Sequence, residues 1–283
     1  MKKKYCIIFL LISEFFLAEL KGQSLEQTFE MAQMELRTEE YELAISLFQR
    51  VLFFSDGPYR DKCFLALAEC YSRVKESGKA LRYYDLAYDN AGSDSFANEI
   101  LFRKASLKLL EGSFMSALSD LFLVAPLGSS DSMRLNVYLG TVYFGLKNFE
   151  RARSYFLQSI APADSNSRER IDALFHRNER YQRLNPKAAK IMSIIVPGSG
   201  QFYSGHIKEG LNSLLLTGAL AWLTVNTMTR LSYVDAMVSV FPWFYRYYAG
   251  GLSNAEELAN ERIREHESEI YQALLEVIER ANQ

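Results

Sequence analysis

A chain of 283 residues with 49% hydrophobic and 23% charged side chains is long enough for two domains and too apolar to be disordered over most of its length. Its net charge of −2 and pI near 6.0 supply no basic field for gathering a phosphate backbone, so nucleic-acid binding is disfavoured. Six prolines and fifteen glycines, five of the latter between Gly198 and Gly218, point to an all-α protein.

The N-terminus reads Met1-Lys2-Lys3-Lys4, then a mostly apolar stretch over residues 5–20, then Gly22-Gln23-Ser24. This is the layout of a secretory signal peptide over 1–23. Glu14 and Glu19 are unusual there and leave an uncleaved signal anchor as the alternative.

Four segments then align on an alanine: Tyr41-x-x-Ala44-x-x-x-Phe48, Ser77-x-x-Ala80-x-x-x-Tyr84, Phe114-x-x-Ala117-x-x-x-Leu121 and Phe149-x-x-Ala152-x-x-x-Phe156. A small residue stands twelve positions before each, at Ala32, Ala68, Ala105 and Gly140, with Tyr71 and Tyr143 three after the second and fourth of these. Small residues let helices approach and an aromatic on the same face fills the gap. With alanines 36, 37 and 35 residues apart, residues 25–184 resemble the tetratricopeptide repeat family: a solenoid of about four two-helix units, with a charged helix over 167–184 as cap.

That resemblance implies a concave surface lined by the first helix of each unit. The register places Phe29, Gln33 and Leu36, then Leu65, Glu69 and Ser72, then Phe102, Ser106 and Leu109, then Val137, Thr141 and Phe144 on it. The Lys/Asn set with which some members clamp a terminal carboxylate is absent at these positions. The row is largely apolar, so the expected partner is a protein or peptide with an apolar or amphipathic helix, not an acidic tail. Burial of the same residues by neighbouring helices is the alternative.

From 191 to 252 charges are rare, and residues 210–229 carry none, a length that matches a bilayer core. Ser213, Thr217 and Ala221 form a small-x-x-x-small row. Residues 233–250 are a poorer second candidate, interrupted by Asp235, Pro242 and Arg246. Before them stands Pro197-Gly198-Ser199-Gly200-Gln201-Phe202-Tyr203-Ser204-Gly205. It resembles the glycine-rich Phe-Tyr-x-Gly turn of a family of small two-helix membrane domains, departing from it at Pro197 and Gln201. Proline and three glycines interrupt a helix, and an interfacial turn in contact with membrane lipid is expected over Pro197, Gly198, Gly200, Gln201, Phe202, Tyr203 and Gly205 in a membrane segment spanning 188–252.

Ser253-x-x-Glu256 reads as a capping box, opening an amphipathic C-terminal helix over 253–283 with a stripe of Ala259, Ile263, Ile270, Ala273 and Val277. Such a helix is free to dock on the repeat groove of its own chain, or on another.

No catalytic, cofactor or metal site is expected. Gly200-x4-Gly205 is followed by His206-Ile207 where a phosphate loop needs Lys-Ser/Thr, and Gly198-Ser199-Gly200 is too short for a nucleophile elbow. His176, His206 and His266 lie in three separate segments, and Cys63 and Cys70 read as buried small residues on one helix. The expected role is a non-enzymatic scaffold of the cell envelope, exported and held at the inner membrane with its repeats facing the periplasm. An accessory subunit of a transport or assembly complex acting through 191–250 is the alternative.

Overall fold

The computed structural model describes residues 24–55, 57, 59–125 and 128–281; the expected signal segment lies outside them. The described elements are all helices: α1 (Leu25–Arg37), α2 (Tyr41–Phe54), α3 (Arg60–Arg73), α4 (Ser77–Asp89), α5 (Asp94–Leu110), α6 (Phe114–Leu121), α7 (Ser129–Gly145), α8 (Phe149–Gln158), α9 (Ser165–Gln182), α10 (Pro186–Ile195), α11 (Ser199–Tyr203), α12 (Ile207–Arg230), α13 (Tyr233–Ser239) and α14 (Phe241–Ala281). They fall into two compact units divided between Ala152 and Arg153, within α8.

Unit 1 is built from helical hairpins. Ser24 and Gln27 close a reciprocal capping box at the start of α1, both bonds 3.1 Å, which satisfies two end groups of the helix. The link between the two helices of each pair repeats. Glu39, Lys75, Gly112 and Lys147 all take positive φ, between 60° and 71°. The next residue's N–H reaches back five positions each time: Glu40 to Glu35, Glu76 to Tyr71, Ser113 to Lys108 and Asn148 to Tyr143, at 2.8–2.9 Å. These are Schellman closures, which supply partners to the last carbonyls of the first helix. Three of the four spend a non-glycine residue on a left-handed conformation, a strain of about 1 kcal/mol each.

The core follows the alanine registers. Ala32, Ala44, Ala68, Ala80, Ala105, Ala117 and Ala152 are fully buried, and Phe48 and Tyr84 share one core with the first four. At this closeness a larger side chain has no room. Asp120 is buried too, held by Lys108 at 2.6 Å and Lys104 at 3.2 Å, with Lys104 also reaching Asp85. Cys63 and Cys70 are buried without a disulfide.

In unit 2, Phe156 meets Phe175 of α9, and Arg153 pairs with Asp172 at 2.7 Å. The long helix α14 packs along α9, α10 and α12. Ala259, Ile270 and Val277 of its predicted stripe are buried, together with Leu274, Ile278 and His266. Arg177–Glu269 at 3.2 Å, Gln182–Glu267 at 3.1 Å and Lys190–Glu256 at 2.8 Å flank the seam. The stripe is therefore covered by α9 and α10 of its own unit.

Two further expectations change. The capping box at Ser253 is not used, because α14 is one helix from Phe241 to Ala281. No helix among the described residues is long and apolar enough to cross a membrane. Helix α12 has the length for the first expected span, but Asn212, Ser213, Thr217, Thr224, Asn226 and Thr227 dilute it, while the second is split between α13 and α14.

Candidate functional site

In unit 1, the ends of α1, α3 and α5 border a cleft of about 690 Å³. Of the twelve residues the register placed on a concave row, Leu36, Glu69, Ser72 and Ser106 line it. Phe29, Phe102 and Phe144 are buried instead: Phe29 lies against Phe48 and Tyr59, Phe102 under Tyr138 and the Arg134 guanidinium, and Phe144 against Phe149. Gln33, Leu65, Leu109, Val137 and Thr141 are half-buried.

The row is therefore less apolar than its sequence suggests, and the cleft is basic. Arg37, Arg73, Lys75 and Arg103 line it against Glu39 and Glu69. Arg103 is committed to Glu69 and to Glu99, the latter at 2.8 Å, and Arg134 holds the other Glu99 oxygen at 2.6 Å. Arg37, Arg73 and Lys75 join no ion pair among the described residues. Reading apolar residues alone missed these cations. Arg37 and Arg73 are one repeat period apart, the signal by which the sequence already marked them. Leu107 and Leu110 add an apolar margin to the cleft.

In unit 2 the glycine-rich motif is the junction of three helices. Gly198 has φ 91°, and a Cβ on it would stand 2.2 Å from the Gly210 carbonyl oxygen. A Cβ on Gly200 would stand 2.0 Å from the Ala189 carbonyl oxygen. Only glycine permits both approaches. Gln201, fully buried, uses both ends of its amide. Its Oε1 accepts from Ser193 Oγ at 3.1 Å, and its Nε2 donates to the Gly251 carbonyl at 2.9 Å. Ser193 Oγ in turn accepts from the Gly200 N–H at 2.9 Å. Tyr203 OH accepts from the Asn185 N–H at 3.2 Å. Phe202 and Tyr203 are exposed rings, and Pro197 and Gly205 flank the turn.

Around this junction burial is inverted. In α12 the buried residues are Gly210, Thr217 and Thr224, seven apart. Its large apolar residues face outward: Leu215 is 62% and Trp222 68% exposed. Helix α10 likewise buries Ala189 and Ser193 and exposes Ile191, Ile194 and Ile195, and α13 buries Ala236 and exposes Val234 and Val238. Between α12 and α14 lies a cleft of about 400 Å³, lined by Glu209, Arg246, amide and hydroxyl side chains together with Leu216 and Tyr247.

The two buried cysteines of unit 1 offer no nucleophile: burial pushes the Cys63 thiol up to about 12 and Cys70 up to about 11, so no thiolate forms near neutrality. No group of His, Cys, Asp and Glu among the described residues is arranged to hold a metal ion. Compared with family models, curated proteins and solved structures, the chain gives no significant match.

Proposed function

We propose that this chain is a non-enzymatic interaction scaffold of the cell envelope. In this reading the hairpins are tetratricopeptide-type repeats that bind a protein partner, and unit 2 holds them to a lipid surface. The observation that carries it is the inverted burial of α12 and its neighbours. Water disfavours exposed leucine, tryptophan and isoleucine by about 25 cal/mol per Å², and contiguous apolar surface of this kind marks an interaction or membrane site. Helices that face lipid meet each other through small and hydroxyl-bearing residues, and the buried Gly210, Thr217, Ser193 and Ala236 are of that kind. Insertion into the lipid interface needs no helix to cross. The basic and then apolar N-terminal sequence supports export, with the repeats on the periplasmic side of the inner membrane.

The unit 1 cleft supports an amphipathic helix as partner. Its leucines would meet an apolar stripe, and Arg37, Arg73 and Lys75 acidic residues beside that stripe. A second reading, an accessory subunit acting through 191–250, is favoured by the cleft between α12 and α14.

Vesicle flotation of the full chain tests the proposal. Leu215→Glu with Trp222→Glu abolishes association while helicity is unchanged, because both side chains are exposed; undiminished flotation of the double variant overturns the lipid reading. For the repeats, amphipathic peptides with acidic flanks bind, and Arg37→Glu with Arg73→Glu weakens them about tenfold; equal affinity for basic-flanked peptides refutes that partner.

A further inference from the structure

The geometry points to the cleft between α12 and α14 as a site for a zwitterionic phospholipid headgroup of the phosphoethanolamine type. The inference rests on the lipid-surface reading and names what that surface would select. The cleft holds about 400 Å³ and is walled by α12 through Glu209, Asn212, Ser213 and Thr217 and by α14 through Arg246, Tyr247 and Asn254, with Gln201 at its floor.

Two charges of opposite sign line it, and neither Glu209 nor Arg246 joins an ion pair among the described residues. Their positions explain why. A Cβ on Gly251 would meet Ser213 Oγ at 2.8 Å, so these two residues face each other. Gln201, beside the start of α12, reaches Gly251 and Asn254. The start of α12 therefore lies near residue 254 of α14, which makes the two helices antiparallel. Glu209, four residues before Ser213, and Arg246, five before Gly251, thus stand at opposite ends of the cleft. Amides and hydroxyls line the space between them, with Leu216 beside them. Outside it, Leu211, Leu215, Trp243 and Tyr245 are exposed.

A ligand that satisfies this arrangement carries an anion and a cation a short polar distance apart, with an apolar tail. A phosphate takes the Arg246 fork, and a primary ammonium gives its N–H groups to Glu209 and the asparagine oxygens. Acyl chains then lie on the leucine face. A purely anionic headgroup would meet Glu209 as a like charge. A quaternary ammonium has no N–H to donate.

Flotation of the full chain with three vesicle types tests this: phosphatidylcholine alone, and phosphatidylcholine half replaced by phosphatidylethanolamine or by phosphatidylglycerol. The expected result is binding about fivefold tighter with phosphatidylethanolamine than with either of the others. Glu209→Gln and Arg246→Gln each remove that gain, and Arg246→Gln also weakens binding to phosphatidylcholine, whose phosphate meets the same fork. Equal binding to all three vesicles overturns the headgroup site and leaves the lipid-surface reading standing; binding to none overturns both. A gain that survives in both variants overturns the assignment to this cleft. Soluble phosphoethanolamine that displaces the chain at micromolar concentration overturns the lipid source.

Discussion

The side-chain amide of Gln201 donates to the main-chain carbonyl of Gly251, 2.9 Å away and 50 residues later in the chain. Its oxygen is meanwhile occupied by Ser193. One buried amide thereby ties α10, α11 and α14 together.

Replacing Gln201 by Leu keeps the volume and removes both bonds, leaving the Gly251 carbonyl and the Ser193 hydroxyl without this partner. The expected loss is about 2–3 kcal/mol. Adding Ser193→Ala deepens the loss, because the buried Gly200 N–H then loses its acceptor as well. Denaturant unfolding of the single and double variants measures the difference, and a neutral Gln201→Leu would show that the network contributes nothing.

The close approaches at the glycine motif give a sharper contrast. Gly200→Ala puts a methyl group 2.0 Å from the Ala189 carbonyl oxygen and should cost about 2–3 kcal/mol through forced separation of α10 and α11. Gly218→Ala, on the same chain but with nothing within 4 Å, should raise stability by about 0.5–1 kcal/mol, since alanine is the better helix former. Thermal melts that rank the two variants the other way would refute the packing.

In unit 1 the left-handed turn residues predict opposite signs for opposite changes. Lys75→Gly relieves the strain at φ 63° and should stabilise by about 0.5–1 kcal/mol. Gly112→Ala imposes that strain at φ 71°, where a Cβ meets open space, and should cost about 1 kcal/mol.

Seating of the α14 end on α9 is expected to weaken in acid. His266 is buried beneath the Tyr181 ring. Burial, then Arg262 and Arg177, hold its pKa below the ordinary 6.5, with Glu269 opposing them; Tyr181 faces it from α9, and the adjacent Glu267 accepts from Gln182. The native state therefore favours neutral imidazole. This contribution is fully present above 6.5 and is lost as the pH falls from there through the lower folded value. Hydrogen exchange over residues 262–278 should quicken through that range, and His266→Phe should flatten the response.

Helix positions were legible because the alanine spacing carries a steric requirement: Ala44, Ala80, Ala117 and Ala152 are all fully buried. Solvent exposure was less legible. A helical period shows which residues share a face, but not whether a neighbour covers it, and so Phe29, Phe102 and Phe144 read as groove while belonging to the interior. The unused capping box at Ser253 has a similar origin. Gly250 and Gly251 look like a break in isolation, yet the close packing of Gly251 against Ser213 and its bond from Gln201 keep them helical. The partners of Gln201 lie 8 and 50 residues away, a pairing no local pattern encodes.

Helix α14 runs for 41 residues, about 60 Å at 1.5 Å per residue. Aromatic side chains crowd its first turns, and His266 lies beyond its midpoint. An unbroken helix is stiff, so a tilt imposed on the aromatic end reaches the histidine end as a sideways displacement that grows with distance from the pivot. The Gln201 bond lies between these two ends and is the natural fulcrum. The longer arm of the helix, beyond Gly251, is the one that meets α9 through Glu267 and Glu269.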